Sequence, residues 1–148
     1  MDSNERLNWI AWNMVHGIGA VRLRVLLDSF GSAQKAFQAT PSQLRELGLG
    51  ETIIDHFLEV KNTIDFSSID SDLQKFGVKA LTWEDEEYPH RLKDLEQAPP
   101  VLYIRGELLP EDEWAVALVG TRRFTSYGRQ VAEELGTFLA HNGITVIS

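Results

Sequence analysis

The residues best suited to chemistry lie in one stretch, Gly120-Thr121-Arg122-Arg123-Phe124-Thr125-Ser126-Tyr127-Gly128-Arg129. It follows a continuous apolar run, Ala115-Val116-Ala117-Leu118-Val119, and precedes a segment whose apolar residues fall at helical spacing. A loop in that position brings free backbone N–H groups and the positive end of a helix dipole together, which favours an anion, phosphate above all. Gly120 lets a ligand approach the main chain, and Thr121, Thr125 and Ser126 offer hydroxyls. Arg122, Arg123 and Arg129 add charge and planar forks. Phe124 and Tyr127 could stack on bases. The plain alternative is that Gly120 only turns the chain, Ser126 caps the helix and the arginines are solvated.

Other chemistry is poorly provided for. Gly-x-Gly-x-x-Gly and the Walker lysine are both missing, so no dinucleotide or nucleotide cofactor is expected. His16, His56, His90 and His141 have no metal-ligand spacing, and no serine sits in a nucleophile elbow. No catalytic residue and no metal is therefore assigned. Gly17-Ile18-Gly19 has the spacing of a helix-hairpin-helix, whose glycines can present amides to a DNA phosphate, a secondary contact for Gly17 and Gly19. Against it, Leu23 stands where that motif has a small residue, and Glu46 stands at an apolar position of the weaker second copy around Gly48-Leu49-Gly50.

The formal net charge of −8 excludes a protein that coats DNA by bulk electrostatics, because phosphate neutralisation needs Lys and Arg. The average hides a local exception. Between residues 115 and 132 there are three arginines and no acid, whereas Glu84-Asp85-Glu86-Glu87 and Glu111-Asp112-Glu113 concentrate negative charge elsewhere. With no cysteine, disulfides and thiolate metal sites are excluded. The start Met1-Asp2-Ser3-Asn4-Glu5 lacks the basic and apolar regions of a secretion signal, and no apolar stretch is long enough to span a bilayer. A cytoplasmic protein without a membrane role is expected.

Two domains are expected to position the loop. Residues 1–65 read as a bundle of short helices: Trp9, Ile10, Trp12 and Met14 give the first an apolar face, Gly31 ends the second, and Thr40-Pro41-Ser42-Gln43 carries a capping box with proline at the first helical position. Residues 66–148 change register. A helix around Ile69, Leu73 and Phe76 stops at Gly77, and strands follow at 78–83 and 101–104. The run 115–119 suits a buried parallel strand, Val131, Leu135, Phe138 and Leu139 mark the next helix, Asn142-Gly143 ends it, and 144–147 is strand-like again. That is a βαβ unit of an α/β, Rossmann-like parallel sheet, which one crossover cannot complete, so the sheet is expected to be truncated.

Three groups of residues resemble the DprA/Smf family in order and approximate spacing. They are Tyr88-Pro89-x-x-Leu92, then Pro99-Pro100-Val101-Leu102-Tyr103-x-x-Gly106, then Val119-Gly120-Thr121-Arg122 with Thr125-x-Tyr127-Gly128-Arg129. The resemblance implies a sterile-alpha-motif-like helical domain followed by an extended Rossmann domain. It implies a non-enzymatic protein that binds and shields single-stranded DNA and helps load the RecA recombinase in natural transformation. By position, Gly120, Thr121 and Arg122 match the family's phosphate-binding strand end, and Ser126, Tyr127 and Gly128 its helix start; Arg123 stands where the family commonly has lysine. The strands that complete the pocket and carry homodimer and RecA contacts in the family are expected beyond Ser148. Two other readings stay open: an enzyme on a similar scaffold, of the nucleoside-monophosphate phosphoribohydrolase type, and a helical domain that binds protein partners.

Overall fold

Three aromatic side chains organise the helical part. In this computed structural model, which describes residues 2–148, helix α1 (Ser3–Met14) buries Trp9, Ile10, Ala11 and Trp12 in succession. Such a run exceeds one helical face, and it is buried because other elements surround α1. The Trp12 ring stacks on Phe57 at 4.8 Å and meets Phe37 edge-on, while its Nε1–H donates to the Ala33 carbonyl at 3.2 Å.

Helix α2 (Ala20–Phe30) ends at Gly31, whose φ of 79° is left-handed, as the sequence leads one to expect. Helix α3 (Ala33–Phe37) starts on the Ser32 side chain, and the Glu5 carboxylate of α1 accepts its first two amides at 2.6 and 3.0 Å. Helix α4 (Pro41–Glu46) has the expected Thr40–Gln43 capping box, and α5 (Glu51–Thr63) supplies Ile54 and Phe57 to the core. Helix α6 (Phe66–Phe76), capped by Asp65 and stopped by Gly77, buries no residue fully.

Strand β1 (Val78–Thr82) pairs antiparallel with β2 (Val101–Arg105), Val78 opposite Arg105 and Thr82 opposite Val101. Between them lies the short helix α7 (His90–Lys93). The Tyr88 hydroxyl and the Trp83 indole N–H both donate to the Pro99 carbonyl, at 2.8 and 3.0 Å, and Trp83 packs edge-on against Trp9. The Tyr-Pro and Pro-Pro signatures therefore tie the extended passage to the helical core.

The chain divides into two compact units, the first running to Gly106 and the second Glu107–Ser148. This differs from the boundary expected near residue 65. Ala80, Leu81, Trp83, Tyr88, Ala98 and Val101 join the same buried cluster as α1 and α5, so the antiparallel pair belongs to the first unit.

The second unit is a 3-10 turn (Pro110–Glu113), β3 (Ala115–Ala117), α8 (Ser126–His141) and β4 (Thr145–Ile147), with β3 parallel to β4 in the register Ala115 to Thr145 and Ala117 to Ile147. This is the expected βαβ unit, and the chain as a whole is α/β, helices first and a small parallel sheet after them. The strand is shorter and more open than 115–119. The Leu118 amide makes the last bond toward β4, at 2.8 Å to the Ile147 carbonyl, and Val119 is 86% exposed. Among the described residues β4 is the single strand neighbour of β3. Leu139 is the one buried apolar residue of this unit among the described residues.

Among the described residues, no helix is long and apolar enough to cross a membrane.

Candidate nucleic-acid interface

Residues 118–125 leave β3 and enter α8 without regular structure. Parallel β3 and β4 end on the same side, and the loop crosses that end, the position where open α/β sheets hold their ligands. A recess of about 620 Å³ opens there. Of the residues expected from sequence, Gly120, Thr121, Arg123, Thr125, Gly128 and Arg129 line it; Arg122, Ser126 and Tyr127 are exposed beside it. Phe124 also lines it, 65% exposed, together with Leu118, Val119 and Ser148 at the strand ends. Val119 belongs to the motif of the family resemblance, whereas nothing in the sequence points to Leu118 and Ser148 as site residues; the parallel register, which brings both strand ends together, is the signal that finds them.

The helix start differs from the plain alternative in one respect. Thr125, not Ser126, is the N-cap: its Oγ1 accepts the Gly128 amide at 3.1 Å, and its carbonyl accepts the Arg129 amide at 3.0 Å. Threonine one position earlier has the extended backbone a cap needs, whereas Ser126 is already helical. The Ser126 and Tyr127 amides have no protein acceptor among the described residues, so the positive end of a 16-residue helix stays open.

The glycines are informative because little in the fold demands them. Gly120 has no left-handed φ, and a Cβ built on it would meet nothing within 4 Å. Gly128 sits in the first turn of α8, where glycine weakens a helix, and a Cβ there would contact only Thr125 Oγ1 at 3.4 Å. Neither turning the chain nor packing it explains them.

The charges are unequal. Arg122 and Arg123 are exposed and form no ion pair among the described residues, and the Thr121 hydroxyl orders the turn by accepting the Arg123 amide at 3.3 Å. Arg129 is tied by its Nε to Glu133 at 2.7 Å, a contact that holds its guanidinium above the usual arginine value, first by the hydrogen bond and then by the charge. Glu133 also lines the recess, so one acid faces the same space as the arginines.

Gly17 and Gly19 fall in the turn between α1 and α2. Gly17 has φ +92° and a Cβ on it would lie 3.1 Å from Ile53 Cγ1, so backbone and packing account for this glycine. Gly19 caps α2 with open space around it, and Arg22, three residues on, lines the recess beside it while donating to the Gly17 carbonyl at 2.8 Å. The His16 and His56 rings, treated separately in the sequence, meet edge-on at 5.3 Å. No group of three or more His, Asp or Glu that could hold a metal occurs among the described residues.

A family model described as DNA recombination-mediator protein A matches residues 79–148, a span that contains the whole strand–loop–helix site. The chain belongs to the DprA/Smf family of DNA-processing proteins. It is 30% identical to Protein Smf of Synechocystis over 153 aligned residues, covering all of this chain and 38% of that protein. It is also 30% identical to DNA processing protein DprA of Bacillus subtilis over 73 residues, 49% of this chain and 25% of that protein. The chain thus spans well under half the length of these curated relatives.

Proposed function

We propose that the chain serves recombination as a non-catalytic DNA-processing protein and binds single-stranded DNA through phosphates at the loop 120–129. The observation that carries this reading is Gly120. It stands at the C-terminal end of a parallel strand, beside a helix start with open amides, and among the described residues neither a left-handed φ nor a close contact calls for a glycine there. Close approach of a ligand to the main chain is the remaining physical reason. Arg122 and Arg123 would neutralise phosphates, and exposed Phe124 and Tyr127 would stack on bases without reading sequence. Loading of RecA and pairing with a second copy, which the family resemblance implies, would follow from this activity and belong to the same proposal.

The test is Gly120→Ala in this chain, with binding to a fluorescent oligothymidylate followed by anisotropy. The variant should melt like the parent, or slightly higher because the unfolded chain loses freedom, and bind more weakly. In the parent, affinity should fall with salt at a log–log slope of about −0.7 per neutralised phosphate. Salt-independent binding, or undiminished binding by the alanine variant, would remove the loop from the interface.

A further inference from the structure

A cavity of about 750 Å³ in the first unit is a groove between α1, α6 and β1, well away in sequence from the loop 120–129. Its size falls within the range of ligand pockets. Leu7 and Ile10 of α1 and Leu73 of α6 form an apolar lining. One wall is β1: Val78, Lys79, Ala80 and Leu81 all border the groove, and β1 is an edge, since its two-stranded sheet continues no further on that side among the described residues.

The direction of the backbone groups follows from the ladder. Residues of an antiparallel strand alternate between bonding the partner strand and facing away from it. Thr82 faces away, because its N–H donates to the Asp85 carboxylate at 2.8 Å and its carbonyl accepts the Asp85 amide at 3.1 Å. Alternation puts the N–H and C=O of Val78 and Ala80 on the same outer side. Asp85, held by Arg6 at 2.8 Å, satisfies the end of this edge and itself lines the groove. Along the rest of this edge the N–H and C=O groups of Val78 and Ala80 have no protein hydrogen-bond partner among the described residues.

The rim is acidic. Asp70, Asp85, Glu86 and Glu87 border the groove against two cations, Arg6 and Lys79, and these are already engaged, Arg6 by Asp85 and Lys79 by Glu87 at 3.3 Å. Asp70 and Glu86 remain without an ion pair among the described residues. Phosphate is repelled from such a rim and basic side chains are drawn to it.

We infer that this groove receives an extended segment of a partner protein, which adds as a strand to the free edge of β1 and alternates apolar side chains toward Leu7, Ile10 and Leu73 with basic ones toward Asp70 and Glu86. Main-chain hydrogen bonds supply affinity in such an arrangement, and alternate side chains supply selectivity. The strand edge, the apolar lining and the unbalanced acid point to the same occupant.

The probe is a blocked hexapeptide alternating valine and lysine, titrated into the isotope-labelled 148-residue chain and followed by amide chemical shifts. Saturable shifts are expected at Val78, Ala80 and Leu73. Two N-methylated versions of the peptide should behave differently: methylating one alternate set of amides abolishes binding, and methylating the other set is tolerated, since only one side of an added strand bonds β1. The double variant Asp70→Lys, Glu86→Lys should weaken binding by about tenfold or more, with an otherwise unchanged spectrum showing that it folds. The inference is overturned if no shifts appear along β1, if both methylated peptides bind alike, if a valine–glutamate peptide binds equally well, or if an oligothymidylate or a second copy of the chain produces the same shifts.

Discussion

Arg129 Nε lies 2.7 Å from Glu133 Oε1, one helical turn further along α8, so the last of the three loop arginines is drawn to the flank of its own helix. Both side chains are largely exposed, and such pairs hold weakly. Glu133→Gln should free Arg129 and remove a negative charge from the recess, tightening oligothymidylate binding by about two- to threefold at low salt. For the same reason Arg129→Ala should weaken binding less than Arg122→Ala or Arg123→Ala. Anisotropy titrations of the four variants check the ranking, and a larger loss from Arg129→Ala would contradict it.

Arg122 and Arg123 make no ion pair among the described residues, so their truncation leaves no partner stranded. Each alanine variant should cost about 1.5–3 kcal/mol of DNA binding if it removes a charge-assisted phosphate contact. The melting temperature should stay within error of the parent, and each variant should lower the magnitude of the salt slope. A lowered melting temperature with unchanged affinity would assign these arginines to the fold.

Thr125 carries the start of α8. Removing its hydroxyl in Thr125→Ala should cost about 1 kcal/mol of helix stability, and Thr125→Ser should restore it, because serine caps as well as threonine. Thermal melts and amide exchange of residues 126–130 measure the effect. Ser126→Ala, at a position the sequence offered as the cap, should change little.

The Asp85 carboxyl joins α1 to the end of β1. Burial alone pushes its pKa up, but the Thr82 amide, the Arg6 guanidinium and the Thr82 hydroxyl together outweigh that and hold it below the usual carboxylate value. Asp112 is lowered by the Leu109 amide and the Thr145 hydroxyl, and Asp65 by the Ser67 hydroxyl and the following amides. A depressed carboxyl stabilises the fold above its unfolded pKa of about 3.9 and loses that contribution as pH falls through the lower folded value. Urea midpoints should therefore be level near neutrality and drop below about pH 4. Asp85→Asn should lower the midpoint at neutral pH and flatten the acid limb.

Much of this was legible in local sequence, and the exceptions are instructive. The Thr40 capping box, the Gly31 and Gly77 stops and the crossover helix α8 are decided by residues within a turn of one another, so reading along the chain finds them. The loop 120–125 was legible for the same reason. The assignment of β1 and β2 to the helical core was not, because it rests on Trp83 meeting Trp9 and on Tyr88 reaching the Pro99 carbonyl, contacts that no periodicity encodes. Ser148 at the recess likewise depends on the parallel register of β3 and β4.

The two units should differ in local stability. In the first, Trp9, Trp12, Leu23, Leu26, Leu44, Ile54 and Phe57 are almost wholly inaccessible, and the amides of α1 and α5 open only when this core is disrupted. In the second, Leu139 is the one buried apolar residue among those described, while Val116 is 40%, Ile147 56% and Phe138 64% exposed. A three-residue parallel pair with so little apolar cover is held mainly by its ladder bonds. Amide exchange should accordingly show the α1 and α5 amides protected by orders of magnitude more than those of β3 and β4, with α8 between them near Leu139. Oligothymidylate bound at 120–129 should slow exchange in β3 and the first turn of α8 and leave α1 and α5 unchanged, since a ligand stabilises the elements it contacts. Equal, strong protection of both units without DNA would mean that the second unit is covered by a surface this arrangement does not provide.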